Sequence, residues 1–124
     1  MCYIMTYNMR NGVFSYLEIA AKLASKGSDK RSYYLGAVGA RSDGAIVSSV
    51  NIPTRDKEPN AHAEYRLSKK LDNGSTVYVA RILKANGDFK MSKPCSSCMI
   101  AMKNAGVTRV YYTIAPNEFG IIDL

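Results

Sequence analysis

An α/β domain built on one mixed five-stranded sheet is what this sequence predicts, and three observations carry the prediction. Apolar spacing switches repeatedly between a period near 3.6 and a period of 2 along the chain. Turn pairs such as Asp43-Gly44, Asn73-Gly74 and Asn86-Gly87 separate these segments. The chain has 124 residues, 47% apolar and 22% charged, a single-domain length with ordinary globular composition. The order read from these signals is α-β-β-α-β-α-β-β, with the last two strands antiparallel.

Residues 1–12 form a lead ending in Asn11-Gly12, in which Tyr3, Met5, Tyr7 and Met9 alternate with other residues. That alternation suits a short strand or an interface arm. Residues 13–124 make up the domain. Phe14, Leu17, Ala21 and Ala24, with Ala20 and Leu23 beside them, mark an amphipathic helix ending near Lys26-Gly27. Tyr33 to Ala40 is a short apolar strand holding Gly36 and Gly39, which are either weak points or places of close packing. Ser42-Asp43-Gly44 turns it into an antiparallel hairpin with Ala45 to Val50.

Asn51 to Asn60 is a polar loop, and Asn60 is suited to cap the helix running from Ala61 to Leu71. His62 and Glu64 fall in the first turn of that helix. Thr76 to Leu83 is the clearest strand, and Asn86-Gly87 returns the chain through Phe89-Lys90-Met91. A third helix runs from Cys95 to Ala105, with Cys98, Met99 and Met102 on or near one face, and Gly106 closes it. Val107 to Ile114 is a strand, Ala115 to Gly120 a turn, and Ile121 to Leu124 the last strand. Six residues between Ile114 and Ile121 are too few for a crossover helix, so these two strands pair antiparallel. Crossovers through the second and third helices set each following strand parallel to its predecessor.

Seventeen Lys and Arg against ten Asp and Glu leave a formal charge of +7 and a pI near 9.4. Such an excess suits an anionic partner, a nucleotide phosphate or a nucleic-acid backbone, or it serves solubility alone. Three cysteines make no disulfide framework. No signal peptide and no run of about 20 apolar residues is present, so a reducing cytoplasm is expected and a membrane is not.

The chemistry concentrates in Lys93-Pro94-Cys95-Ser96-Ser97-Cys98. Thiols three apart on a helix share one face, and the positive helix N-terminus favours their ionised form. Alone, Cys-x-x-Cys reads as a redox pair, as half of a structural zinc site, or as two small helix residues. His62, the only histidine in the chain, brings the set to three ligands, and zinc held by three protein ligands keeps a fourth position open. Glu64 sits two residues on, a carboxylate able to exchange protons with water at such an ion.

His62-Ala63-Glu64 followed by Pro94-Cys95-x-x-Cys98 resembles the signature of the zinc-dependent nucleobase and nucleoside deaminases. The resemblance covers roughly residues 13–124 and implies a three-layer, cytidine-deaminase-like fold. It implies Zn²⁺ held by His62, Cys95 and Cys98. It implies Glu64 as the proton shuttle in converting a cytosine base to uracil. The antiparallel last pair resembles the cytidine deaminase branch; the transfer-RNA adenosine deaminases, deoxycytidylate deaminases and polynucleotide editors have a parallel final strand. Asn51 matches the asparagine that binds the sugar in such enzymes, and Ala63 lies between the two motif residues beside the substrate. Tyr111 and Tyr112 match an aromatic position that stacks on the base in polynucleotide-editing relatives, although strand tyrosines usually serve packing. Free-nucleoside cytidine deaminases carry Asn-x-Glu where this chain has Asn51-Ile52-Pro53, which counts against a free ribonucleoside.

The implied substrate is a cytosine nucleoside or nucleotide. The basic excess keeps single-stranded DNA or RNA as the alternative, with Lys69, Lys70, Arg81, Lys84, Lys90 and Lys93 as a basic face or as scattered solvated charges. A non-catalytic zinc-stabilised binding module is the third reading. Ser96 and Ser97 serve as helix caps or as donors to substrate. By analogy with cytidine deaminases of this size, the chain forms a homo-oligomer.

Overall fold

Strand Thr76–Leu83 lies inside the sheet, with neighbours on both sides, and the other elements are arranged around it. The computed structural model describes residues 2–6, 11–25, 33–50, 63–83 and 86–124. Its strands are β1 (Cys2–Thr6), β2 (Tyr33–Ala40), β3 (Ile46–Val50), β4 (Thr76–Leu83), β5 (Phe89–Lys90), β6 (Arg109–Ala115) and β7 (Glu118–Asp123). Its helices are α1 (Asn11–Ser25), α2 (Ala63–Ser68) and α3 (Ser96–Asn104). Six strands lie in the order β1-β7-β6-β4-β2-β3, and β5 adds a seventh alongside β4. The β4–β6 pair is parallel and every other pair is antiparallel.

The sheet is mixed and carries helices, as the sequence predicts, but it has two strands beyond the expected five. Cys2–Thr6, within the lead, pairs with β7 as an outer strand. Phe89–Lys90 pairs with Ile82 and Arg81. The final hairpin is antiparallel but tighter than expected. Ala115 pairs with Glu118, so Pro116-Asn117 alone makes the turn, with Asn117 at φ 66° in the position where asparagine is tolerated. Both strands extend into the segment expected to be a loop. Helix α2 stops at Ser68 rather than Leu71 because its end tightens: the Lys70 N–H donates to the Leu67 carbonyl, and Arg41 caps the Lys70 carbonyl at 2.9 Å.

Alternation along the strands divides the core into two layers. Phe14, Leu17, Ala20 and Ala21 of α1 pack on Val38, Ala80, Ile82, Phe119 and Ile121. Ala63, Leu67, Met102 and Val107 pack on Ala37, Val77, Val79, Val110, Tyr112 and Ile122 from the other side. The two strand glycines are sites of close packing. A Cβ on Gly36 would meet the Ala20 carbonyl of α1, and one on Gly39 would meet Leu71 beyond α2. Two carbonyls of the outer strand β3 are capped by cations. Lys70 Nζ donates to the Ser48 carbonyl at 2.7 Å and Arg66 donates to the Val50 carbonyl at 2.6 Å. Carbonyls two residues apart point the same way, so these cations block an edge that would otherwise template another strand.

Asp72 ties the end of the α2 segment to the β2–β3 turn. It accepts from the Ser42 N–H at 3.0 Å, the Ser42 hydroxyl at 2.8 Å and the Ser75 hydroxyl at 2.7 Å. The Ser42 amide first, then the Ser75 and Ser42 hydroxyls and the Arg41 charge, hold its carboxyl down from 3.8 to about 2. A depressed folded pKa gives stability that is complete above the unfolded value and fades as pH falls through the folded one. Thermal denaturation of Asp72→Asn should therefore show a deficit at pH 7 that shrinks as pH drops from about 4 towards 2; a deficit independent of pH would count against the network.

Gly36→Ala should lower stability by about 1–3 kcal/mol, because a methyl there forces α1 off the sheet. Gly12→Ala, where a Cβ meets nothing within 4 Å, should raise it by up to about 1 kcal/mol. Urea midpoints of the two variants check both signs.

Candidate active site

Helices α2 and α3 touch each other on one face of the sheet. Their first turns bring Glu64, Cys95 and Cys98 together. Ala63 opens α2 with no solvent exposure, and Glu64 beside it is 3% exposed. A carboxylate this deeply buried is costly unless it is partnered. Its Oε1 atom has no hydrogen-bond partner among the described residues. Burial pushes the Glu64 carboxyl above the ordinary range, and hydrogen bonds from its own N–H and from Cys98 offset this only in part.

Cys95 is the N-cap of α3, with extended backbone and no side-chain cap. The expected helix from Cys95 to Ala105 is therefore trimmed by one residue at each end. Cys95 is exposed and Cys98 buried. Burial acts against ionisation of Cys95, but contacts from the Ser97 hydroxyl at 3.3 Å and from the Cys98 N–H and thiol outweigh it, and its pKa falls. The Cys98 thiol is pushed well up, by burial first and then by the Glu64 and Cys95 charges, against the Tyr65 N–H that donates to it. Amides from both helix N-termini thus point at the two sulfurs.

The residues fit a zinc ion. Two soft donors on one helix face, backbone N–H groups turned to the sulfurs, and an orphaned buried carboxylate oxygen alongside are the environment such an ion takes. The third expected ligand, His62, lies outside the described residues, immediately before Ala63. Among the described residues no group of three metal-binding side chains occurs.

The tyrosines divide as period 2 requires, because neighbours on a strand face opposite ways. Tyr111 is not at the site. It stacks on Tyr78 at 5.0 Å on the α1 side, and Tyr78 stacks on Tyr16 at 4.6 Å. Tyr112 lies on the α2/α3 side, 3% exposed, packed in the core there. Asn51 lies outside the described residues, although the Val50 carbonyl just before it is held by Arg66.

The expected basic face is partly used up locally. Lys70 caps a carbonyl and Lys69 lies 5.4 Å from the Tyr65 ring. Arg81 and Lys90 face each other across β4 and β5, Lys93 is exposed, and Lys84 is outside the described residues. Ser96 and Ser97 are exposed in the first turn of α3. Sequence reasoning missed Arg66 and the buried hydroxyls of Ser92 and Thr113. Nothing in the sequence marks them except the position of Ser92 three residues before Cys95.

Zinc content of purified Cys98→Ser should fall to a small fraction of the parent's, with a lower melting temperature. A variant holding a full equivalent would remove Cys98 from the ligand set.

A family model described as the cytidine and deoxycytidylate deaminase zinc-binding region matches residues 13–114. No curated protein matches the chain. No helix among the described residues is long and apolar enough to cross a membrane.

Proposed function

The chain belongs to the cytidine and deoxycytidylate deaminase zinc-binding family, and from that premise we propose that it converts a cytosine base to uracil in a nucleoside or nucleotide. The observation that carries this reading is the Glu64 carboxylate, buried against Cys98 with one oxygen uncommitted among the described residues. Held by His62, Cys95 and Cys98, Zn²⁺ would supply the Lewis acidity that makes water nucleophilic at neutral pH.

Glu64 does the proton work. Its pKa is raised by burial towards the range in which a carboxylate both takes and returns a proton readily. It accepts the proton of the water that adds at C4 and delivers it to ring N3. It then carries the second proton to the amino group, the C4–N4 bond breaks, and ammonia leaves. Ala63, at the mouth of α2, offers backbone to the base, and Asn51 binds the sugar. Tyr112 lines the α2/α3 layer near the base, and Tyr111 takes no part.

The Asn51-Ile52-Pro53 sequence and the +7 charge support a second reading, in which the cytosine lies in single-stranded DNA or RNA. Side-by-side assay of uracil formation from cytidine, deoxycytidine, dCMP and a cytosine-containing oligonucleotide separates the two. Conversion of monomers alone supports the nucleotide reading, and conversion of the oligonucleotide alone replaces it with the polymer. Glu64→Ala should keep its zinc and lose at least about 10²-fold in turnover. Parental turnover in that variant would exclude Glu64 from the chemistry; no turnover in the parent on any substrate would leave a zinc-stabilised binding module.

A further inference from the structure

Strands β4 and β6 run in parallel register from Thr76 opposite Arg109 to Val79 opposite Tyr112, and there the ladder stops. A continuous parallel ladder would next join the Thr113 N–H to the Val79 carbonyl and the Arg81 N–H to the Thr113 carbonyl. Two side-chain hydroxyls stand in those places instead. The Thr113 N–H donates to Ser92 Oγ at 2.7 Å, and that hydroxyl donates onward to the Val79 carbonyl at 2.9 Å. The Arg81 N–H donates to Thr113 Oγ1 at 3.2 Å, which donates in turn to the Lys90 carbonyl at 2.7 Å. The Ser92 N–H completes the set on the Thr113 carbonyl at 2.9 Å. Ser92 is 5% exposed and Thr113 fully buried, so water cannot replace a lost partner there.

Ser92 lies three residues before Cys95. Between them Lys93 is exposed and only Pro94 is buried, and Cys95 itself is exposed with no side-chain cap on α3. The buried polar anchor of this approach is therefore the Ser92–Thr113 pair. A ligand must be held within about 0.5 Å of its working position by groups that are themselves locked.

We infer that Ser92 and Thr113 are positioning residues for Cys95. Their hydroxyls replace two rungs of the β4–β6 ladder, part the sheet at the carboxyl ends of these strands, and pin there the segment that delivers the thiol. The inference rests on the zinc reading of the site.

The test is the rate at which zinc-loaded protein releases its metal to excess chelator, read with a chromogenic indicator. Ser92→Ala and Thr113→Val should each release zinc roughly 10- to 100-fold faster than the parent, the range by which loss of support behind a ligand lowers metal affinity. Thr113→Ser keeps the hydroxyl and should release at the parental rate. Ser75→Ala removes another buried hydroxyl, bonded to Asp72 before the start of β4, and serves as the control for general destabilisation. Parental release from both Ser92→Ala and Thr113→Val would overturn the inference, as would equally fast release from Ser75→Ala. If Ser92→Ala does not fold, the contrast between Thr113→Val and Thr113→Ser decides alone. A parent that takes up no zinc overturns the metal reading itself and this inference with it, an outcome distinct from unchanged release.

Discussion

The parallel pairing of β4 with β6 is the constraint on which the rest of the structure depends. Parallel neighbours cannot be joined by a tight turn, so α3 must cross from the end of one strand to the start of the next. The connection from β3 to β4 runs through α2 in the same way, passing over β2, since both strands lie antiparallel to β2. Two crossovers on one face bring two helix N-termini side by side. Those termini carry Glu64 on α2 and the Cys95–Cys98 pair on α3.

Placing acids and thiols at that junction sets up opposed electrostatic demands. Burial disfavours the charge on Glu64 and on Cys98, and the Glu64 and Cys95 charges further disfavour ionisation of Cys98. Amide hydrogens at the helix starts work in the opposite direction. A cation at the same point would relieve all of the repulsion at once. The site is thus poorly balanced as a set of protein groups alone and fits a cation beside it, in keeping with the zinc-binding family to which the chain belongs.

The basic excess has a structural share as well as any role towards a partner. Arg41, Arg66 and Lys70 cap the carbonyls of Lys70, Val50 and Ser48, closing the end of α2 and the outer strand β3. Their positive charge remains in the net total, but each gives one donor to backbone.

Much of the fold was legible because it is written in local periods. The bounds of Tyr33–Ala40 and Thr76–Leu83 were readable to the residue from apolar runs between turn signals, and the existence of the three helices, though not their ends, from apolar spacing. Phe89–Lys90 escaped this reading because a two-residue strand has no period, and Cys2–Thr6 was left open between a strand and an arm. The motif residues Glu64, Cys95 and Cys98 stood out because metal and proton chemistry restrict residue type and spacing severely. By itself the sequence determined the three helices, most of the strands and the motif thiols and acid as candidates, since these depend on chemistry within one segment. Only the tertiary structure decided that Tyr111 faces away from the site, that Gly36 and Gly39 admit the helices, and that Ser92 and Thr113 bridge the parted strands. These depend on which strands become neighbours and where their pairing ends, and a pattern read along one segment carries no record of the segment it will meet.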